Sequence, residues 1–223
     1  MPLRVYPQKV SWSFIKNYCY LVVDHEAKEA LLIDPAWELN KIESKLQETE
    51  TRCTTILLTH AHIDHVHLAE RLVKKYEAQV MMSKVEIDYY HFRCPGLIAL
   101  EESSVVLFGS TEINSILTPG HTKGSMCFWI ENKLFTGDTL FTEGCGICVG
   151  KGADPENMFH SLQQLKEMIP LETLIYPGHS FGHRPGKRFS HLLKNNLYLH
   201  FQNIDEFVAY RMRKGQTGWF NFR

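Results

Sequence analysis

Thr54-Thr55-Ile56-Leu57-Leu58-Thr59-His60-Ala61-His62-Ile63-Asp64-His65 is the stretch on which the fold turns. Its first five residues are apolar and β-branched, the pattern of a buried strand. Its last six carry three imidazoles and a carboxylate. Leu68-Ala69-Glu70-Arg71-Leu72-Val73 then reads as helix. The titratable cluster therefore falls on a loop at a strand's C-terminal end, where α/β proteins carry their chemistry. Such groups are poor core material, because each needs a buried partner. A solvated polar loop is the bland alternative. Imidazole nitrogen and carboxylate oxygen together suit zinc and related divalent ions.

Working outward, 223 residues at 44% hydrophobic content suit one domain with a sizeable core. The expectation is a single domain over 1–223, with 190–223 as a helical tail packed on it. A net charge of -1 gives no global drive toward nucleic acid or membrane. The N-terminus lacks a signal-peptide core, and no apolar run approaches the roughly 18 residues that span a bilayer. The six cysteines are scattered, so they read as reduced cytoplasmic thiols rather than a disulfide framework.

Strands are expected at Ser11–Ile15 and Cys19–Val23, with Lys16-Asn17 as their turn, and at Ala30–Ile33. Leu39–Glu48 reads as helix, with Leu39, Ile42 and Leu46 on one face. A helix from His67 to about Tyr76 precedes a strand at Val80–Met82. Lys84–Leu100 reads as a helix followed by a loop. Further strands fall at Ser104–Phe108, Glu112–Leu117, Ser125–Ile130 and Lys133–Thr136, the last two forming a hairpin through Glu131-Asn132. Gly144–Gly152 is glycine-rich. Pro155–Ile169 is amphipathic, with Asp154 as its cap. Thr173–Tyr176 is the last clear strand, and Ser190–Arg213 holds one or two helices. Trp219-Phe220-Asn221-Phe222 is an interface patch or packs on the body. Two blocks of strands separated by helices imply two mixed sheets covered by helices.

Three more strand ends repeat the motif of a polar group after an apolar run: His121, Asp138 and His179, beside Gly120, Gly137 and Gly178. Taken singly, each could be a satisfied surface or core residue. As an ordered set, His60-x-His62-x-Asp64-His65, His121, Asp138 and His179 resemble the five-motif signature of the metallo-β-lactamase superfamily, from about Asn17 to His179. The resemblance implies an αββα sandwich with a dinuclear metal site at one edge. It implies that His60, His62 and His121 bind one ion, that Asp64, His65 and His179 bind a second, and that Asp138 bridges them. Seven ligands exceed one tetrahedral zinc but fit two ions sharing a carboxylate. Two zinc ions are expected, with iron or manganese as alternatives, and Asp64 and Asp138 are expected to orient a bridging hydroxide. Asp34 either orients a ligand imidazole or simply ends its strand before Pro35.

Within the superfamily, Thr136-Gly137-Asp138-Thr139-Leu140-Phe141, Gly144-Cys145-Gly146 and Pro177-Gly178-His179 resemble the glyoxalase II branch, which hydrolyses glutathione thioesters. The chain departs from that branch where glutathione would be held. Ile147 and Val149 stand for its lysine and tyrosine, and Phe181 for a second tyrosine. It is similar to the zinc-dependent hydrolases of bacterial polyketide gene clusters, which implies acyl thioesters on the phosphopantetheine of an acyl carrier protein. Ile147, Val149, Phe181, Arg184 and Arg188 are candidate substrate contacts. His183, Arg184, Lys187, Arg188, His191 and Lys194 form a basic stretch that either docks an acidic carrier protein or is an ordinary solvated helix start. A monomer or weak dimer is expected. A hydroxyacylglutathione hydrolase and a mononuclear iron persulfide dioxygenase are the alternatives. Cys145-x-x-Cys148 lacks the second pair that a separate zinc site would need.

Overall fold

The computed structural model describes residues 3–215. Strand residues alternate between two interiors, as a period of two requires. In β2 (Ile15–Asp24), Cys19, Leu21 and Val23 face helices, while Tyr20 and Val22 face a second sheet. β3 (Glu29–Ile33) does the same, with Leu32 on one side and Leu31 and Ile33 on the other. These two, with β1 (Arg4–Trp12), β4 (Arg52–Leu58), β5 (Gln79–Ser83) and β6 (Leu97–Leu100), form one sheet in sequence order. The second sheet runs, from one edge, β7 (Val105–Phe108), β8 (Thr111–Leu117), β9 (Met126–Ile130), β10 (Lys133–Gly137), β11 (Leu174–Pro177) and β12 (Lys187–Arg188). Both sheets are mixed: β3 to β6 pair in parallel, as do β10 and β11, and the other neighbours are antiparallel.

Three apolar cores fill the gaps between layers. Leu31, Ile33, Leu57, Phe128, Phe135 and their neighbours pack between the sheets. α1 (Leu39–Glu48) and α3 (Ala69–Tyr76) cover the first sheet, burying Ile42 and Leu72. α5 (Pro155–Met168), α6 (Phe189–Asn195) and α7 (Ile204–Arg211) cover the second, burying Leu162, Leu192 and Phe207. This is the expected αββα sandwich. Asp154 caps α5, accepting from the amides of Glu156 and Asn157 at 2.9 and 3.1 Å. No described helix is long and apolar enough to cross a membrane.

Four local expectations are corrected. The first hairpin turns at Ser13-Phe14, because Trp12 pairs with Ile15 and Ser13 takes the left-handed conformation that a two-residue turn requires. Lys16-Asn17 lies inside β2, where the buried polarity of Asn17 serves the site below. Ile63–Val66 forms one helical turn, α2, so Asp64 and His65 are helical; the next helix starts at Ala69, not His67. Lys84–Tyr90 is helix α4, but Leu97–Leu100 is a strand paired in parallel with β5. That pairing partner lies outside the local sequence window, so periodicity alone cannot reveal it. The Trp219–Phe222 patch lies outside the described residues.

Candidate metal centre

Most of the expected ligands follow a strand's C-terminal end, and Asp64 and His65 lie on the helical turn α2 just after β4. Asp34 follows β3, His60 and His62 follow β4, and His121, Asp138 and His179 follow β8, β10 and β11. The two sheets are tied at this edge, where the Met126 amide donates to the Thr59 carbonyl at 2.9 Å. Two glycines allow the close approach. A Cβ at Gly178 would strike Asp138 Oδ1 and the His65 ring, and one at Gly137, which has φ +47°, would strike the Thr59 side chain.

The convergence makes two triads. His62 Nδ1 lies 3.1 Å from His60 Nε2 and 2.9 Å from His121 Nε2. Opposite, Asp64 Oδ2 lies 3.3 Å from His179 Nε2 and 3.7 Å from His65 Nε2. Within each triad the donor atoms all fall within 4.8 Å of one another, close enough to hold a metal ion. Asp138 sits between them. Its Oδ2 is 3.5 Å from His121 Nε2 and 3.4 Å from His179 Nε2, and its Oδ1 is 3.4 Å from His65 Nε2. Asp34, His60 and His65 also fall within that 4.8 Å limit, but the Asp34 oxygens are already engaged. They accept from the Thr59 amide at 2.8 Å, from Thr59 Oγ1 at 2.6 Å and from His65 Nδ1 at 2.8 Å.

Two atoms test whether the site suits a metal. His65 Nε2 and Asp138 Oδ1 are buried and make no hydrogen bond, facing each other at 3.4 Å. Stranding a buried polar group costs about 1–3 kcal/mol, which coordination would relieve. The ring nitrogens facing away from the centre are held, as metal-ligating imidazoles require. His121 Nδ1 donates to the Ile147 carbonyl at 2.8 Å and His179 Nδ1 to the Lys16 carbonyl at 2.8 Å. Thr59 Oγ1 lies 3.0 Å from His60 Nδ1. Asn17 donates to the Asp64 carbonyl at 2.5 Å and accepts from Trp37 Nε1 at 2.9 Å. The donor set of imidazoles and carboxylates is that of zinc or a related divalent ion.

The triads differ in electrostatics. Burial, then the neighbouring imidazoles, pushes His60 well down; burial, then His121, holds His62 at about 4. Burial would also lower His65, but Asp138, Asp64 and Asp34 outweigh it and raise the imidazole to about 10. Burial would raise Asp64, but His65 and His179 hold its carboxyl below the usual range.

The expected substrate residues are spread more widely. Ile147 is buried and meets the centre through its carbonyl. Val149 is exposed. Phe181 is half-buried, its ring 6.2 Å from that of His179 and 5.5 Å from that of Phe141. Arg184 is exposed on the loop before β12. Arg188 pairs with Glu172 at 2.9 Å and lies beside Leu174, at the end of β11 away from His179. The basic stretch is thus a loop, the edge strand β12 and the start of α6, whose N-cap is Arg188. Lys187, Arg188, His191 and Lys194 line an open cavity of about 400 Å³. Cys145 and Cys148 are buried thiols; burial pushes Cys145 up to about 12, so it stays protonated and unreactive. Sequence reading missed the roles of Thr59, Asn17 and Glu86, each of which bonds to a residue distant in sequence.

The family model described as the metallo-beta-lactamase superfamily matches residues 13–179. The chain belongs to this superfamily. It is 50% identical over 212 residues to a Bacillus velezensis protein named "Probable polyketide biosynthesis zinc-dependent hydrolase BaeB", covering 95% of this chain and 93% of that one. It is 44% identical to the Bacillus subtilis protein named "Probable polyketide biosynthesis zinc-dependent hydrolase PksB", covering 99% and 98%. A Schizosaccharomyces pombe protein named a probable hydroxyacylglutathione hydrolase is 30% identical, covering 92% and 81%. Among solved structures, ETHE1 from Myxococcus xanthus superposes with a TM-score of 0.80 at 25% identity, over 92% of this chain and 89% of that one.

Proposed function

We propose that this chain is a dinuclear zinc hydrolase that cleaves acyl thioesters, acting on acyl groups held on the phosphopantetheine of an acyl carrier protein in polyketide biosynthesis. The observation that carries the reading is Asp138 Oδ2, at 3.5 Å from a nitrogen of one triad and 3.4 Å from a nitrogen of the other. His60, His62 and His121 would hold one ion, Asp64, His65 and His179 the other, and Asp138 would belong to both. Bound zinc supplies Lewis acidity, at neutral pH, for a water nucleophile and for the thioester carbonyl. Asp64 and Asp138 accept hydrogen bonds from the attacking water and aim it. Asp34 keeps His65 turned so that Nε2, not Nδ1, faces the centre.

The polyketide setting is supported by relatives at 50% and 44% identity that carry that description. The carrier is supported by the surroundings. Ile147, Val149 and Phe181 offer no charge to the carboxylates of glutathione. The basic cavity lies beside Leu174, five residues before His179, or about 16 Å along an extended chain. A substrate tethered by a long flexible arm spans that distance, and an acidic carrier would be steered to the cavity.

Metal content and hydrolysis of one acyl group on glutathione, coenzyme A, a pantetheine mimic and a carrier protein test the proposal. Two zinc ions and highest kcat/KM on the carrier protein are expected. A preference for glutathione would favour the hydroxyacylglutathione hydrolase reading, which the S. pombe relative supports. A single iron with oxygen consumption would overturn hydrolysis altogether.

A further inference from the structure

Glu86 is a fully buried carboxylate that the chemistry above does not use. It projects from α4 (Lys84–Tyr90), a helix with no residue in either triad. Its Oε1 accepts from the Ala61 amide at 2.8 Å, and Ala61 sits between His60 and His62. Its Oε2 accepts from the Gly124 amide at 2.8 Å and from Thr122 Oγ1 at 3.0 Å, and Thr122 follows His121. One side chain thus joins the two loops that carry the first triad, which are about 60 residues apart in the chain. The approach is tight: a Cβ at Gly124 would strike the backbone nitrogen of Glu86. Four residues further along the same helix, Tyr90 Oη donates to the Lys151 carbonyl at 2.6 Å and accepts from the Lys123 amide at 3.4 Å. So α4 braces the glycine-rich loop as well.

A buried carboxylate is costly unless its lone pairs are met, and here three donors meet them. An apolar residue would fill the same volume without that requirement. What it could not do is fix the relative position of Ala61 and Gly124. We infer that Glu86 is the positioning residue of the first triad, setting the separation of His60 and His62 from His121. The inference rests on the reading of that triad as a metal site.

Zinc affinity by chelator competition, with cobalt absorption as a second readout, tests it on the full chain. Glu86→Gln keeps the length but turns one oxygen into an amide NH₂ that must face the Ala61 or Gly124 amide. His121→Ala marks the ion of the first triad. Leu46→Ala, in the core under α1, reports plain destabilisation without touching the site. Glu86→Gln should weaken the His121-dependent ion about 10-fold and leave the other unchanged, the effect typical of residues that orient ligands. Wild-type affinity for both ions, or a parallel fall in both matched by Leu46→Ala, would overturn the inference. If Glu86→Gln does not fold, Thr122→Val removes one of the three bonds and should shift the same ion by less; no shift there overturns the inference. If His121→Ala retains the wild-type metal content, the metal reading fails and this inference fails with it.

Discussion

The two triads differ in donors, three imidazoles against two imidazoles and a carboxylate, and are held in different ways. His60, His62 and His121 are neutral imidazoles in a buried setting, steadied by hydroxyl, carbonyl and, through backbone amides, the Glu86 carboxylate. Asp64, His65 and His179 sit among carboxylates, with Asp34 directly on His65 and the β1–β2 hairpin supplying the Lys16 carbonyl and Asn17. Burial dominates the first and charge dominates the second. The lesson is that an ion site needs both a donor set and a frame, and that the frame comes from elsewhere in the chain.

Asp138 is the point the triads share, so removing it should have the largest effect. Asp138→Ala is expected to lower kcat by at least about 100-fold and to reduce the metal content at both triads. Retention of both ions with full activity would break the mechanism. Asp34→Ala should act mainly on one side. It frees His65 to rotate, and the affinity of the second-triad ion should drop about 10- to 100-fold, while the first, which Asp34 reaches only through Thr59, drops less. Equal losses at both ions would show that the triads are not framed separately. Charge reversal at Arg184 and Lys187 should reach neither triad: kcat/KM on a carrier-bound thioester falls about 10-fold, with metal content and a small thioester unaffected. No change on the carrier would remove that docking surface from the proposal.

The smallest expected effect is on stability in chelator. His62 is held at about 4, below its ordinary 6.5. Its unfolded form therefore takes up protons first, and stability is lost as pH falls from 6.5 toward 4. His65 is raised to about 10, so its contribution is present below 6.5 and lost as pH rises through 10. In denaturant titrations of the metal-free protein, His62→Asn should flatten the acid loss and His65→Asn the alkaline one. Identical pH profiles for the two variants would erase the electrostatic contrast.

Much of the centre was legible because its residues are out of place. His60, His62, Asp64, His121, Asp138 and His179 each follow an apolar run, where strand periodicity predicts nothing polar. Of the residues that hold them, Asp34 was open to that reading and the others were not legible. Asn17 sat in what reads as a turn, Glu86 in an ambiguous segment, and Thr59 is an ordinary strand-end threonine. Each acts through a bond to a residue distant in sequence, and no local pattern encodes such a partner. The β6 strand was missed for the same reason: its parallel pairing with β5 is a tertiary contact.

By itself, the sequence determined the layered architecture and the kind of chemistry. Alternation of apolar residues selects strands and their two faces, and imidazoles with carboxylates at strand ends select a metal. Only the tertiary structure decided which nitrogen of each imidazole faces inward, which residues hold the ligands in place, and that Ile147 meets the centre through its carbonyl rather than its side chain. The physical reason is range. Hydrophobic burial is non-directional and written residue by residue along the chain. Hydrogen bonds that aim a ligand are directional and need a partner within about 3 Å, which only the folded chain brings there.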